Sequence, residues 1–273
     1  MRIKNIIVAL GITLCMSANL FAQEDFRKNA PKPGPAPSIE IGDSEVFKLD
    51  NGLTVVLVEN NKLPRVSFQL SVDVPDFSEG EKAGYVNIAG ELMGRGTESM
   101  DKAEIDESID FIGASFQTFG SGMFGSCLSK NSEDLLAIMS DVLMYPVFPE
   151  AEFEKIKKAT LSGIAQTKNS PDAIMANVRR TLVYGSDHPF GSVETEESIN
   201  AISVSDCKSY IDVFFKPNIS YLVIVGDMNL ADAKLAAEKY FGKWEMGEVP
   251  TLKPVRVERP EGVNVVFVDQ PGA

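Results

Sequence analysis

The chain has 273 residues, of which 44% are hydrophobic and 24% charged, so it carries enough apolar side chain to bury a sizeable core. Its 39 Asp and Glu outnumber 26 Lys and Arg for a formal net charge of -13, and no basic run interrupts the excess; nucleic acid and anionic membrane surfaces therefore drop out as leading partners. One His and three Cys exclude a His-rich metal site, a four-cysteine zinc site and a CxxC redox centre.

The chain opens on Met1-Arg2-Ile3-Lys4, an apolar run from Ile6 to Cys15, and Leu20-Phe21-Ala22 before Gln23. A cationic start, a short apolar stretch and a small residue before the cut are the pattern of a secretory signal, expected at 1–22 with cleavage after Ala22. A membrane anchor would need about 20 apolar residues, and Ser17 and Asn19 interrupt the run too early. Leu14 stands before Cys15 where a lipoprotein needs a small residue. Export to the periplasm or the extracellular space is the expected outcome, and the segment left after cleavage carries -15 because Arg2 and Lys4 go with the leader. Pro31, Pro33, Pro35 and Pro37 then make residues 23–43 a stiff extended linker.

The folded part is expected over 44–246. Phe47 to Leu49, then Asp50-Asn51-Gly52, then Leu53 to Val58 is a hairpin pattern in which Asn-Gly supplies the positive φ of a tight turn. Val66 to Val74 alternates as a third strand, and Gly84 to Met93 reads as a short helix stopped by Gly94 and Gly96. Asp101-Lys102-Ala103-Glu104 is a capping box ahead of Ile105, Ile109 and Ile112, with Gly113 as the helix stop. Strands follow around Ser115–Phe119 and Met123–Leu128, and helices over Glu133–Met144, Glu150–Gln166, Ala173–Val183 and Val204–Phe214. Tyr221 to Val225 is a buried strand and Leu230 to Tyr240 the last helix. Paired strands separated by runs of helices predict a two-layer α+β domain, mostly antiparallel, with helices packed on one face.

After Trp244 the composition turns to Gly247, Pro250, Pro254, Pro260 and Gly262, a linker, before Val263-Asn264-Val265-Val266-Phe267-Val268. This reads as a new strand at the start of a second unit, so 247–273 is expected to be a linker plus the first strand of a truncated second domain. Pairing of that strand with the main sheet is the alternative.

Several strings, in order, resemble the insulinase-type, or M16, metallopeptidase family. They are Phe47-x-Leu49-x-Asn51-Gly52-Leu53-x-Val55, Pro64, Gly84, Gly96-Thr97, Glu104-Ile105 with Gly113-Ala114, and Pro146-x-Phe148 with Phe153. His188-Pro189-Phe190-Gly191, Pro217-Asn218, Gly226-Asp227 and Tyr240-Phe241-Gly242-x-Trp244 continue the series. The resemblance implies two similar α+β domains in sequence, of which this chain holds the first and the opening strand of the second. It also implies an inverted H-x-x-E-H zinc motif on the helix before the Gly-Thr pair, in which the two His bind metal and the Glu activates water. Counted back from Gly96, those positions hold Asn87, Gly90 and Glu91. A carboxamide does not replace imidazole at useful affinity, Gly90 leaves no general base, and only Glu91 still offers an oxygen. The third ligand of active relatives is a Glu on the long downstream helix, and Lys155 to Pro171 contains no Asp or Glu. No catalytic, metal or cofactor site is therefore expected.

Other residues read blandly. His188 is a turn residue, Cys127 and Cys207 are small buried thiols with a disulfide as the open alternative, and Ser121-Gly122 and Gly125-Ser126 lack the Gly-x-Ser-x-Gly of a nucleophile elbow. Gly94-x-Gly96 lacks the preceding strand of a dinucleotide site. The acidic patches Glu79-Gly80-Glu81 and Glu194-Thr195-Glu196-Glu197 read as solvated loops. The function that follows from the resemblance is a proteolytically silent subunit that completes a peptide-binding chamber. Its expected partners are a catalytic M16 chain with an intact H-x-x-E-H and extended peptides. A peptide-binding or assembly module unrelated to proteolysis is the alternative, and an active metallopeptidase with some other site is the third reading.

Overall fold

The computed structural model describes residue 34, residues 44–252, and residues 256–257, 262–263 and 265–268 of the tail. The expected leader, and all of the expected linker apart from Gly34, lie outside the described residues.

Among the described residues six strands form one sheet: β1 (Glu45–Lys48), β2 (Thr54–Glu59), β3 (Arg65–Val72), β4 (Ser115–Phe119), β5 (Gly122–Leu128) and β6 (Ser220–Gly226). Their spatial order is β1-β2-β6-β3-β5-β4, and only β2 with β6 is parallel. Eight helices among the described residues accompany it: α1 (Tyr85–Met93), α2 (Lys102–Phe111), α3 (Ser132–Met144), α4 (Glu150–Thr167), α5 (Pro171–Tyr184), α6 (Glu196–Ala201), α7 (Val204–Phe214) and α8 (Leu230–Phe241).

The period of two along the strands explains the layering. Val66, Phe68, Leu70 and Val72 of β3 are buried, as are Val55 and Leu57 of β2 and Leu222 and Ile224 of β6, and the helices supply the opposing core from Ile88, Leu92, Leu135, Met139, Phe153 and Ile211. The alternate residues, Ser67, Gln69 and Ser71 of β3 with Tyr221 and Val225 of β6, stay partly exposed on the second face. The sheet is thus covered by helices on one side, the two-layer, mostly antiparallel α+β arrangement expected.

The Asn51-Gly52 turn differs from the simplest reading. Gly52 alone takes positive φ, at 89°, and its N–H donates to Leu49 O at 2.9 Å, so the connection is a longer turn with the glycine at its end. The Asn51 amide is thereby free to donate to Phe241 O at 2.7 Å and Trp244 O at 3.0 Å, fastening the hairpin to the end of α8. A Cβ on Gly52 would stand 3.0 Å from the Asn218 backbone, and Asn218 in turn bonds both the N–H and the carbonyl of Gly247. One corner of the domain is built this way from Asn51-Gly52, Asn218, and Phe241 to Trp244.

One expectation needs correction. Glu194-Thr195-Glu196-Glu197 is not a loop: Thr195 is the N-cap of α6 in a reciprocal capping box with Ser198, and the acids occupy the first turn, where the helix dipole favours them. Val263 and 265–268, the described residues of the expected tail strand, are exposed and carry no strand pairing among the described residues.

Candidate functional site

Helix α1 carries the three positions at which the sequence pattern placed a lost zinc motif. Gly84 enters the helix as N-cap with φ 105°, and a Cβ there would stand 2.6 Å from Ile199 Cδ1, so the entry requires glycine on two counts. No Gly84 side chain can cap the helix. Glu79 does so instead: its Oε2 accepts from the N–H of Gly84 at 2.8 Å and of Val86 at 3.2 Å. Burial pushes the Glu79 carboxyl above its ordinary value, opposed by these N–H donors and aided by the nearby Glu194 charge.

Gly90 is the decisive position. It is buried, and a Cβ built on it would stand 2.1 Å from Gly120 N and from Phe119 C, both backbone atoms of the β4–β5 turn. The hairpin tip occupies the space into which a side chain at this point of α1 would project. The contact is mutual, since a Cβ on Gly120 would stand 2.5 Å from Val86 Cγ1. Tyr210 of α7 fixes the tip from behind, its hydroxyl donating to Gly120 O at 2.6 Å in a buried setting. Phe77, Tyr85, Phe214 and Phe215 pack around the Tyr210 ring, and burial raises its pKa.

Asn87 and Glu91 remain at the surface. The Asn87 amide donates to Glu194 Oε1 at 2.9 Å, and Glu91 is engaged with Arg95 one turn on. Beside Asn87 lies a cavity of about 330 Å³ bounded by Glu79, Ile164, Thr167, Asn177, Arg180 and Glu194. Helix α4 contributes Ile164 and Thr167 here, in the stretch that contains no carboxylate. Arg180 holds the far wall by donating to Phe190 O at 3.2 Å and Ser192 O at 3.3 Å. A larger hollow of about 700 Å³ lies around the Gly96-Thr97 turn and the start of α4. It is an open depression of mixed charge, and Thr97 itself is a structural residue that accepts from Met100 N at 2.9 Å.

A zinc ion of the family type does not fit these residues. The donor set reads amide, nothing and an ion-paired carboxylate, and the base position is filled by backbone. Among the described residues, no three His, Cys, Asp or Glu side chains gather at one point. No step through a metal is therefore derived for this chain.

Glu79 and Glu194 are the site residues that sequence reasoning missed by reading both acidic patches as loops. The signals were local. Glu79 lies five residues before a glycine that cannot cap its own helix, and Glu194 directly precedes a Thr-x-x-Ser cap. The remaining candidates behave as structural residues. His188 is buried in its turn, with Nδ1 accepting from Phe190 N at 3.1 Å, between the Tyr184 and Phe190 rings. Cys127 and Cys207 are free and buried, with pKa pushed up to about 11 and about 12 by burial, so neither is a thiolate near neutral pH. Ser126 accepts from Arg65 and Ser67 within the sheet.

Comparison with known proteins agrees with this scaffold. Residues 54–189 match the insulinase family, peptidase family M16, and residues 201–272 match the peptidase M16 inactive domain. The chain belongs to the M16 peptidase family. An uncharacterized zinc protease of Rickettsia felis is 24% identical over 218 residues, which make up 77% of this chain and 53% of the relative. The mitochondrial-processing peptidase subunit beta of Caenorhabditis elegans is 20% identical over 220 residues, 78% of this chain and 48% of that one. This M16 chain therefore spans about half the length of the curated relatives it matches. Among solved structures, the peptidase M16 inactive domain from Pseudomonas fluorescens shares the fold with TM-score 0.69 at 21% identity, over 80% of this chain and 54% of that one. The first half of the periplasmic protease PqqL from Escherichia coli does so with TM-score 0.66 at 14% identity, over 79% and 49%. Within the M16 family, this is a member that lacks the H-x-x-E-H zinc motif.

Proposed function

We propose that this chain is a proteolytically silent subunit of an exported M16-type zinc peptidase, a wall of the peptide-binding chamber whose chemistry comes from a partner with an intact H-x-x-E-H. The observation that carries the reading is the closure at Gly90. A general base there would need the β4–β5 hairpin to move, and the hairpin is held by Tyr210. The surrounding scaffold is intact, and a scaffold kept without its chemistry fits a structural role beside a catalytic chain.

Two features support the chamber role. Among the described residues the second face of the sheet carries no helices, and it presents a mixed surface of Ser67, Gln69, Tyr221 and Val225. Among the described residues strand β4 is an edge of the sheet packed beside α1, and its outward N–H and C=O groups can pair with an extended peptide as an added strand. Such pairing needs no side-chain specificity. The acidic balance then favours basic peptides, less so as salt rises. A relative named as a peptidase subunit supports a two-chain enzyme, and a neighbour named as a periplasmic protease supports export together with the N-terminal pattern of 1–22. Among the described residues no helix is long and apolar enough to cross a membrane. The division into a domain over 44–246 and a second unit beginning within 247–273 belongs to the same reading.

The test is co-purification from the native host, then cleavage of short unfolded peptides by the zinc-bearing chain with and without its companion. Activity should rise on adding this chain and fall back with salt. If no such enzyme co-purifies and saturating companion leaves the activity unchanged, the subunit reading fails, and an assembly module unrelated to proteolysis takes its place.

A further inference from the structure

A second surface, on helices that the chamber reading does not use, has the form of a docking groove. Helices α2 and α3 leave between them a hollow of about 660 Å³, floored by Met100, Phe111, Ile112, Ala137 and Ile138. Phe111 is 90% exposed, a whole aromatic ring in water at the last turn of α2. The closed end is rigid, because the Asn131 side chain donates to Ile112 O at 2.7 Å and ties the stop of α2 to the start of α3.

The charged residues of the rim are all acids. Glu104, Glu107 and Asp134 border the floor beside Ser108, and among the described residues no Lys or Arg lines it. Glu104 accepts from Asp101 N in the capping box and is accounted for by helix stability. Asp134 stands in the first turn of α3, where the helix dipole favours it, whereas Glu107 has no such role; among the described residues, neither takes part in an ion pair. An exposed aromatic anchor on an apolar floor, inside a rim whose carboxylates have no cationic partner among the described residues, is complementary to a ligand with one apolar and one cationic face.

We propose that this groove docks a basic amphipathic helix of a partner protein, its apolar face against Phe111 and Ile138 and its Lys or Arg side chains paired with Glu107 and Asp134. The charge rules out an anionic lipid surface. The shape, a trough between two helices, suits a third helix laid along it. The proposal stands apart from the chamber reading and survives its failure.

The probe is a synthetic peptide with leucines on one helical face and lysines on the other. A twin carries glutamate for lysine, and a scramble of the same composition has no apolar face. Fluorescence anisotropy with the full chain should show binding of the first peptide alone. Phe111→Ser should weaken it by about tenfold or more, as expected for a central aromatic anchor, and Glu107→Lys with Asp134→Lys by about tenfold. Glu45→Lys, on edge strand β1, should change it less than about twofold. All these positions are exposed, so circular dichroism should show folded variants. Equal binding of the scramble, or binding unaffected by Phe111→Ser, would reduce the effect to the general attraction of an acidic protein and overturn the proposal. Sedimentation supplies the other contrary outcome: a Phe111-dependent dimer that the peptide dissociates would make a second copy of this chain the occupant.

Discussion

Two regions of the domain carry the family's short strings and use them in opposite ways. At the corner, each matching residue makes the contact its type allows: Asn51 donates to two carbonyls, Gly52 takes positive φ against Asn218, and Trp244 closes the core. On α1 the matching positions hold an amide, a glycine and an ion-paired Glu, and the hairpin backbone fills the space above the glycine. A scaffold is recognisable from the residues it keeps. A chemistry is recognisable from residues that must all be present together, and here the closing backbone shows that restoring them one at a time would meet resistance.

The largest expected effect tests that resistance. Gly90→Glu would bury an unpaired carboxylate against backbone and should cost more than about 4 kcal/mol or prevent folding, and Gly90→Ala should cost about 2–3 kcal/mol, by urea unfolding. Asn87→His and Glu91→His, at the surface, should each fall within about 1 kcal/mol of the parent. The three together should yield no efficient peptidase, because the downstream carboxylate is also missing. A stable Gly90→Glu variant would erase the contrast between the regions.

Next in size, Asn51→Ala should cost about 2–3 kcal/mol, since it removes the donor to Phe241 O and Trp244 O and frees the hairpin from α8. Tyr210→Phe should cost about 1–2 kcal/mol by stranding the buried Gly120 carbonyl. It should also speed amide exchange at 118–122; unchanged exchange would mean that the tip is held by packing alone.

The smallest effect is the pH response of Glu79. Its pKa is raised above 4.5 in the folded state, so the folded chain binds more protons than the unfolded one between 4.5 and the raised value. The stability it contributes is therefore present below pH 4.5 and is lost as pH rises through the folded pKa. Glu79→Gln keeps an acceptor oxygen for the Gly84 and Val86 N–H groups but does not titrate. The difference in Tm between parent and variant should shift in the variant's favour as pH rises through that window. A difference independent of pH would place Glu79 in water.

Much of the fold was legible because its signals are local. Capping boxes at Asp101 and Thr195, alternation in β3 and the apolar run of β6 lie within a few residues of what they specify, although the Thr195 box was passed over as an acidic loop. The parallel pairing of β2 with β6 was not legible, since it joins segments more than 150 residues apart through backbone groups common to all sequences. The site divides along the same line. The missing donors at Asn87, Gly90 and Glu91 could be counted from the sequence. The filling of the Gly90 position could not, because it depends on Gly120 being brought back against α1 and on Tyr210 holding it there. Glu79 and Glu194 were hidden for the same reason: a charged residue in a loop looks solvated until the helix end it faces is known.

The central claim is that the zinc centre of the family cannot form on this chain. Its most direct test is titration of zinc into the purified full chain by calorimetry, with elemental analysis after dialysis and a peptide-hydrolysis assay on the same sample. The expected result is no stoichiometric zinc and no hydrolysis. One tightly held zinc per chain, with hydrolysis that a chelator abolishes, would contradict it.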